Sequence, residues 1–403
     1  MNKARMNRGM SGAETSPPAP WVLFDTGDNP KADHALLLQQ AVGIVRAEEI
    51  AQIAPAIEQL RNAIDSGLHA AGFFSYELGY GLEPSLHSKM PQHRQVPLIW
   101  FALFPKAQHL HGAKLEEFFN TQLPVCEAPT LEILDHAETK HDYLQRFTRA
   151  KELIAAGDIY QVNLAIKLAL QYQGSPIALY ADLRKQQPVS YGAFLECADF
   201  SILSHSPELF FELKNGLITA RPMKGTIRRG TTRLEDQALS RELHGDVKNR
   251  AENLMIVDLL RNDLGRVCEP GSIHVPELFK VETYPTVHHL VSTISGKLRK
   301  GEDALSLLDA CFPGGTITGV PKHRAMEIIH ELEPDSREVY CGSIGWIGFN
   351  GNMNTNIAIR TLLIRNSQAS YWAGGGIVAD SVEADEYEET MHKAAAFLRL
   401  VYD

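Results

Sequence analysis

Between Ser190 and Ile227 three strand-like runs, SYGAFLEC, FSILSHSPELFFEL and GLITARPMKGTI, follow one another with only turns between them. Short runs rich in aromatic and β-branched residues, bounded by Gly, Pro, Asn and Ser, read as strands. On the amino-terminal side DYLQRFTRAKELIAAG carries apolar residues at helical spacing and stops at Gly157, and DIYQVNLAIKLAL reads as one more strand. On the other side a long helix is expected from about Glu242, polar at first and apolar from LMIVDLLRNDLG onward. Strands in succession with helices inserted, rather than strict alternation, favour an α+β fold over a doubly wound parallel sheet.

The earlier part of the chain mixes both patterns. EEIAQIAPAIEQLRNAIDSG, Glu48 to Gly67, has helical spacing and a glycine stop, and AAGFFSYELGYGLEP reads as a buried strand running into a turn. From Lys106 to Thr139 the text is irregular (GAK, TQLP, EAPT) and is expected to be a linker or edge region. The start, MNKARMNRGMSGAETSPPAP, is polar and Pro-rich without an apolar core, so residues 1–20 are expected to form a disordered arm. The expected division is therefore 1–20, 21–139 and a denser region 140–403.

Composition narrows the function classes. A chain of 403 residues, 44% hydrophobic and 22% charged, can bury a sizeable core as a water-soluble globular protein. A net charge of −10 and no basic stripe argue against nucleic acid. No run approaches the ~18 apolar residues of a membrane span. The five cysteines, Cys126, Cys197, Cys268, Cys311 and Cys341, are odd in number and form no CxxC pair, as suits reduced packing residues in the cytoplasm.

Several segments carry groups that chemistry could use. In KNRAENLMIVDLL, Asn249 and Glu252 stand three apart on one helix face, and in EADEYEETMHKAAAFL so do Glu386 and Glu389. If the two faces meet, three carboxylates and an amide converge, a hard oxygen set that suits magnesium; taken alone, acids three apart are most often a helix's wet face. SHSPELFFEL sets Glu208 after a proline turn at the mouth of an apolar strand, where an acid can retain its proton, although a solvent-facing strand end is the commoner outcome. CFPGGTITGVPKHRAMEII is a Gly-rich turn offering amides and Thr316 to an anion; it is no Walker loop, because Val320 and Pro321 separate Gly319 from Lys322. AGGGIVAD offers a second run of amides, or simply a closely packed strand. Arg360 alternates with apolar neighbours and either snorkels or clamps a carboxylate, and His289 reads as a core histidine or a lid over a ligand. Lys224, in RPMKGTIRRG, stands among Arg221, Arg228 and Arg229. It is either a solvated charge or an amine kept short of its proton.

Taken together and in order, SPELFFEL, RPMKGTIRRG, AENLMIVDLLRNDLGRV, HHLVSTI, FPGGTITGVPKHRAMEII, CGSIGWIGFNGNMNTNIAIRTL and AGGGIVADSVEADEYEET resemble the chorismate-utilising enzymes, over about Tyr143 to the end of the chain. The resemblance implies a chorismate-binding α+β fold: two large, packed, mainly antiparallel sheets with helices outside. It also implies site roles. Glu252 and Glu389 match carboxylates that hold Mg2+, with Glu386 in support, and the metal grips the ring carboxylate of chorismate. Asn249 stands where several members have a second acid. Arg360 and the amides of Gly374, Gly375 and Gly376 match the cradle of the enolpyruvyl carboxylate. Glu208 matches the acid that protonates the departing 4-hydroxyl. His289, Thr316 and Trp346 match pocket-lining positions, the tryptophan replacing a frequent tyrosine.

Two positions separate the branches of this family. Gln161 occupies the place of the lysine that activates water in isochorismate and salicylate synthases, and an amide cannot serve as that base. At Lys224 the anthranilate branch usually has alanine, whereas a lysine there resembles the branch that forms 4-amino-4-deoxychorismate on the folate route. That branch uses the amine as a nucleophile on the ring, and the flanking arginines with partial burial are expected to lower its pKa. The resemblance then implies a glutamine amidotransferase partner supplying ammonia, since no GxCxG-type cysteine turn is found, and a pyridoxal-phosphate lyase acting on the product. The alternatives are an anthranilate-forming component and a non-catalytic chorismate-binding subunit. The family's amino-terminal LLES-type tryptophan motif finds no match in DHALLLQQ.

Overall fold

Every described strand pairing is antiparallel, and the pairings build two sheets of ten strands each. The computed structural model describes residues 19–26, 34–123, 129–134, 138–186, 188–284 and 287–402. Residues 1–18 of the expected arm and Cys126 lie outside the described residues.

The first sheet runs from Gly319–Val320 through Gln161–Gln173, Gln368–Ile377, Thr361–Arg365, Phe200–Ser206, Tyr191–Cys197, Trp21–Asp25 and His34–Leu38 to Gln108–His111, with Thr130–Ile133 paired to Gln161–Gln173. The second runs from Met223–Arg228 through Val287–Lys297, Leu217–Ala220, Leu209–Lys214, Met353–Asn356, Ser343–Ile347, His69–Phe74 and Ile99–Phe104 to Gly43–Ala47, with His274–Thr283 also on Val287–Lys297. Each sheet mixes strands from before and after residue 139, so the amino-terminal strands extend the same sheets that hold the later motifs. The chain crosses from the first sheet to the second at Pro207–Glu208, and back at Ile357–Arg360. These crossovers lie side by side: the Ile357 N–H donates to the Glu208 carbonyl at 3.1 Å, and the Ser206 hydroxyl donates to the Ile357 carbonyl at 2.6 Å.

Packing follows the alternation of side chains along the strands. Leu23 and Leu37 enter the larger apolar cluster, while Val22, Leu36 and Leu38 enter a smaller one containing Phe73, Trp100 and Phe200. Adjacent strand residues point to opposite faces, so these strands are buried on both sides. Each fully buried Phe or Leu contributes about 1.5–3 kcal/mol. Against the larger cluster packs the helix Ile50–Asp65 through Ile53, Ala56 and Leu60.

Two sequence expectations are corrected. The stretch Lys106 to Thr139 is no plain linker: its described parts hold the strands Gln108–His111 and Thr130–Ile133 and the helix Ala113–Gln122, too short individually for periodicity to show. The single long helix from Glu242 is two helices, Arg233–Gly245 and Val247–Gly265. Asp246 divides them, because its Oδ1 accepts the Asn249 N–H at 2.7 Å and starts the second helix as an N-cap. None of the described helices is long and apolar enough to cross a membrane.

Candidate functional site

Lys224 leaves regular strand geometry because its strand bulges. Pairing with Val287–Lys297 slips between Met223 and Thr226, and Gly225 there takes φ +85°. A Cβ on Gly225 would also lie 2.8 Å from Asn249 Cγ, so the first residue of the Asn249/Glu252 pair packs directly over the bulge. Such a bulge re-aims a side chain out of the ladder. It brings the Lys224 ammonium to 3.8 Å from a Glu252 carboxylate oxygen, with only 16% of the lysine side chain exposed.

The same ammonium reaches the first sheet. A Cβ built on Gly376 would lie 3.4 Å from Lys224 Nζ and 3.0 Å from Gln161 Nε2, so lysine, glutamine and the glycine strand meet at one point. Gln161 is fully buried, and neither polar atom of its amide has a hydrogen-bond partner among the described residues. Pairing places Gly374, Gly375 and Gly376 opposite Ala165, Leu164 and Asn163, while the strand on the other side ends its pairing at Tyr371. The described pairings therefore leave the second edge of the glycine run open, which fits an amide cradle.

Glu208 and Arg360 occupy the two sheet crossovers. Burial pushes the Glu208 carboxyl up to about 7, with Thr316 and Lys224 drawing it down. The buried Thr316 hydroxyl adjoins it without meeting full hydrogen-bond geometry. Arg360 holds φ +51°, an uncommon backbone state for a side chain of this kind, and burial works against its charge. No hydrogen bond or ion pair of the Arg360 guanidinium is found among the described residues, although its backbone carbonyl accepts from His205 N–H at 2.9 Å. His289 lines the same region: burial, then Arg360, pushes its ring down to about 4, and Nδ1 pairs with the Thr226 hydroxyl at 2.8 Å. It is a neutral histidine.

Burial pulls the Lys224 pKa down, and Lys393 adds to this, while Glu252, Glu208 and Glu389 oppose it. The arginines are not the cause, contrary to the sequence expectation. Arg221 pairs with Glu282, Arg228 with Glu235 at 2.6 Å, and Arg229 with both oxygens of Asp236 at 2.7 and 2.8 Å. Each arginine is turned to an acid of its own, so desolvation does the work assigned to repulsion.

The two helix faces do approach, since Lys224 feels both Glu252 and Glu389, but lysines are interleaved with the acids. Lys393 Nζ lies 2.8 Å from Glu389 and donates to the Gly374 carbonyl at 3.0 Å. Although burial raises Glu389, Lys393 and Lys224 hold it below the usual carboxylate range. Glu386 is raised by burial and by Glu389, accepts from the Ser381 hydroxyl at 2.6 Å, and has Oε2 3.3 Å from a Cβ built on Gly375. Among the described residues no three His, Cys, Asp or Glu side chains stand close enough to enclose a metal ion. The donors nevertheless suit a hard cation: carboxylates on two facing helices whose mutual repulsion is now moderated by ammonium groups.

Trp346 sits on Ser343–Ile347, half-buried and packed against the smaller apolar cluster; no described hydrogen bond ties it to the Lys224 group. Sequence reading missed Lys393 and Ser381. Lys393 had a legible signal, a lysine four residues after Glu389 on a helix; Ser381 had none.

The chorismate binding enzyme family profile matches residues 27–399. Over 260 residues the chain is 49% identical to aminodeoxychorismate synthase component 1 of Salmonella typhimurium, covering 64% of this chain and 57% of that protein. Over 289 residues it is 44% identical to anthranilate synthase component 1 of Aquifex aeolicus, covering 72% and 58%. The chain thus spans less than two thirds of the length of these relatives. The crystal structure of anthranilate synthase component I from Streptococcus pneumoniae superposes with TM-score 0.77 at 28% identity, covering 92% of this chain and 93% of that one.

Proposed function

The chain belongs to the chorismate binding enzymes, and from that premise we propose that it is the component that turns chorismate and ammonia into 4-amino-4-deoxychorismate. One observation carries the reading: a desolvated lysine, Lys224, lies beside an unpartnered Gln161 amide and the glycine run, where water-adding relatives need a basic residue at position 161.

In this reading Arg360 and the open edge at Gly374–Gly376 receive the enolpyruvyl carboxylate, a charge-assisted contact that offsets the buried guanidinium. Glu252, Glu389 and Glu386, with Asn249 beside them, would hold Mg2+. Bound there, the ion would neutralise the ring carboxylate and make the ring a better electrophile. Glu208, protonated near neutrality, gives its proton to the 4-oxygen as the C–O bond breaks, so water departs. Lys224, neutral for part of the time, forms a bond from Nζ to a ring carbon as the double bonds shift and the hydroxyl leaves. Ammonia then bonds to the carbon that carried the hydroxyl, the double bonds shift back, and the lysine leaves with its electron pair. His289 stays neutral and, through Thr226, fixes the strand that carries Lys224. A glutamine amidotransferase subunit would supply ammonia, a pyridoxal-phosphate lyase would act on the product, and the complex would work in the cytoplasm.

The experiment supplies chorismate, Mg2+ and an ammonium salt, with and without such a lyase. p-Aminobenzoate that appears only with the lyase supports the proposal. Fluorescent anthranilate formed without it would assign the chain to the anthranilate reaction instead. Lys224→Ala should lose ammonia-dependent turnover, and undiminished turnover would reject the lysine as nucleophile.

A further inference from the structure

Lys151 has no part in the chemistry above, yet three backbone carbonyls converge on its ammonium. Projecting from the helix Lys140–Ala155, Nζ donates to Val378 O at 3.2 Å, to Ser381 O at 3.0 Å and to Ala379 O. These carbonyls belong to the turn that joins the glycine strand to the helix Glu383–Tyr402. The turn is held from a second side by Lys248 Nζ, 3.6 Å from Asp380. Within it the Ser381 hydroxyl accepts the Val378 N–H at 3.1 Å and donates to Glu386 Oε1 at 2.6 Å. A continuous path of hydrogen bonds therefore runs from Lys151, through the turn and Ser381, to the carboxylate that faces Gly375.

The two helices at the ends of this path also pack together, with Tyr143 and Tyr387 rings 5.4 Å apart and Lys140 over the Tyr387 ring at 4.9 Å. The turn leads into the second of these helices, and within it Val378 O also accepts the Ser381 N–H at 3.1 Å. Carbonyl oxygens gathered around one positive charge repel each other without it, and the arrangement is the one proteins use to hold a potassium ion. Lysine supplies the same charge on a tether.

We propose that Lys151 is a positioning residue that acts as a tethered monovalent cation: it gathers the carbonyls of the 378–381 turn and so fixes Ser381 and Glu386 against the Gly374–Gly376 strand. Removing the side chain leaves a carbonyl cradle that potassium can enter. The effect on catalysis rests on the chorismate reading, whereas the cradle itself does not.

The test uses Lys151→Ala in potassium chloride and in tetramethylammonium chloride at equal ionic strength. Thermal unfolding should show a lower midpoint for the variant in tetramethylammonium, raised again by potassium, with the wild-type protein indifferent to the exchange. In the ammonia-dependent assay, with ammonium kept below the concentration at which it raises the variant's unfolding midpoint because it fits the same cradle, KM for chorismate should rise about tenfold while kcat changes less than about threefold, and potassium should restore KM, as expected for misplacement of a binding group away from the reacting atoms. A potassium-blind unfolding midpoint in the variant, or wild-type KM with no response to potassium, overturns the proposal. If the wild-type protein does not turn over chorismate, the functional reading falls and the unfolding comparison still decides the cradle. Should Lys151→Ala fail to fold, Ser381→Ala breaks the last link with Lys151 in place. It should raise KM similarly with no potassium response, and an unchanged KM there would refute the path.

Discussion

Glu208→Gln should make the protein more stable and less active, and the stability gain should depend on pH in a defined way. The wild-type carboxyl is buried and titrates at about 7 instead of its usual 4.5. That gap corresponds to about 3 kcal/mol of preference for the protonated form in the folded state. Below pH 4.5 folded and unfolded chains both carry the proton, so the group contributes no difference. As pH rises from 4.5 toward 7 the unfolded chain releases its proton while the folded chain keeps it, and stability is lost. Above 7 the loss is complete. Glutamine, neutral throughout, escapes this loss. Urea unfolding of both proteins at pH 5 and pH 8, extrapolated to water, should show the stability difference growing in the variant's favour by about 2.5 kcal/mol between the two. Turnover with chorismate and ammonia should fall by about 10²–10⁴, the usual contribution of a positioned acid. A stability difference that stays constant with pH would refute the argument, because it would mean that the carboxyl is solvated or ionised in the folded protein.

The wild-type pH–rate profile should fall above pH 7 as Glu208 ionises, and Glu208→Gln should lack that limb in whatever activity remains. Arg360→Met should raise KM for chorismate by about 10- to 100-fold, the worth of a charge-assisted hydrogen bond, while leaving or raising the unfolding midpoint, since a buried guanidinium without a partner opposes folding; a lowered midpoint with unchanged KM would make Arg360 a structural residue. Arg228→Ala should leave the pH dependence of turnover unchanged, because that side chain pairs with Glu235 at 2.6 Å rather than facing Lys224; a moved ascending limb would restore the arginines as the cause of its lowered pKa.

Much of the sheet architecture was legible because strands leave a local mark. SYGAFLEC became Tyr191–Cys197, whereas FSILSHSPELFFEL and GLITARPMKGTI, each read as one run, divide into Phe200–Ser206 and Leu209–Lys214 at Pro207, and into Leu217–Ala220 and Met223–Arg228 at Pro222. The break at Asp246 was not legible from apolar spacing, although an Asp after a Gly is the residue type that starts a new helix. The membership of early strands in both sheets was not legible at all from pattern. Trp21–Asp25 pairs with Tyr191–Cys197 across some 170 residues, and only tertiary contact decides such a pairing. The arginine expectation failed for a related reason. RPMKGTIRRG shows that charges are near in sequence, while Glu282, Glu235 and Asp236, which neutralise them, come from elsewhere.

What sequence least conveys is whether a polar group has a partner, and at this site that property carries most weight. The sequence does not distinguish a partnered Gln161, Arg360 or Thr316 from an unpartnered one. In the fold, the Gln161 amide and the Thr316 hydroxyl are buried without a full hydrogen bond, and the Arg360 guanidinium has no described partner. Each such group opposes folding by about 1–3 kcal/mol. Unsatisfied atoms occur elsewhere too, among them Ser75 Oγ, Tyr76 Oη, Arg94 Nε, Asn253 Nδ2 and Trp372 Nε1, so the company these three keep is what distinguishes them. Here they adjoin a desolvated lysine and a protonated acid at the place where the chain changes sheets twice. A core made only for stability would replace Gln161 with an apolar residue and pair Arg360 with an acid, as Arg337 is paired with Glu333 at 2.7 Å in the same protein. That contrast within one chain supports the proposal that these groups are kept for a carboxylate-bearing ligand, with Lys224 as the nucleophile and Glu208 as the acid beside it.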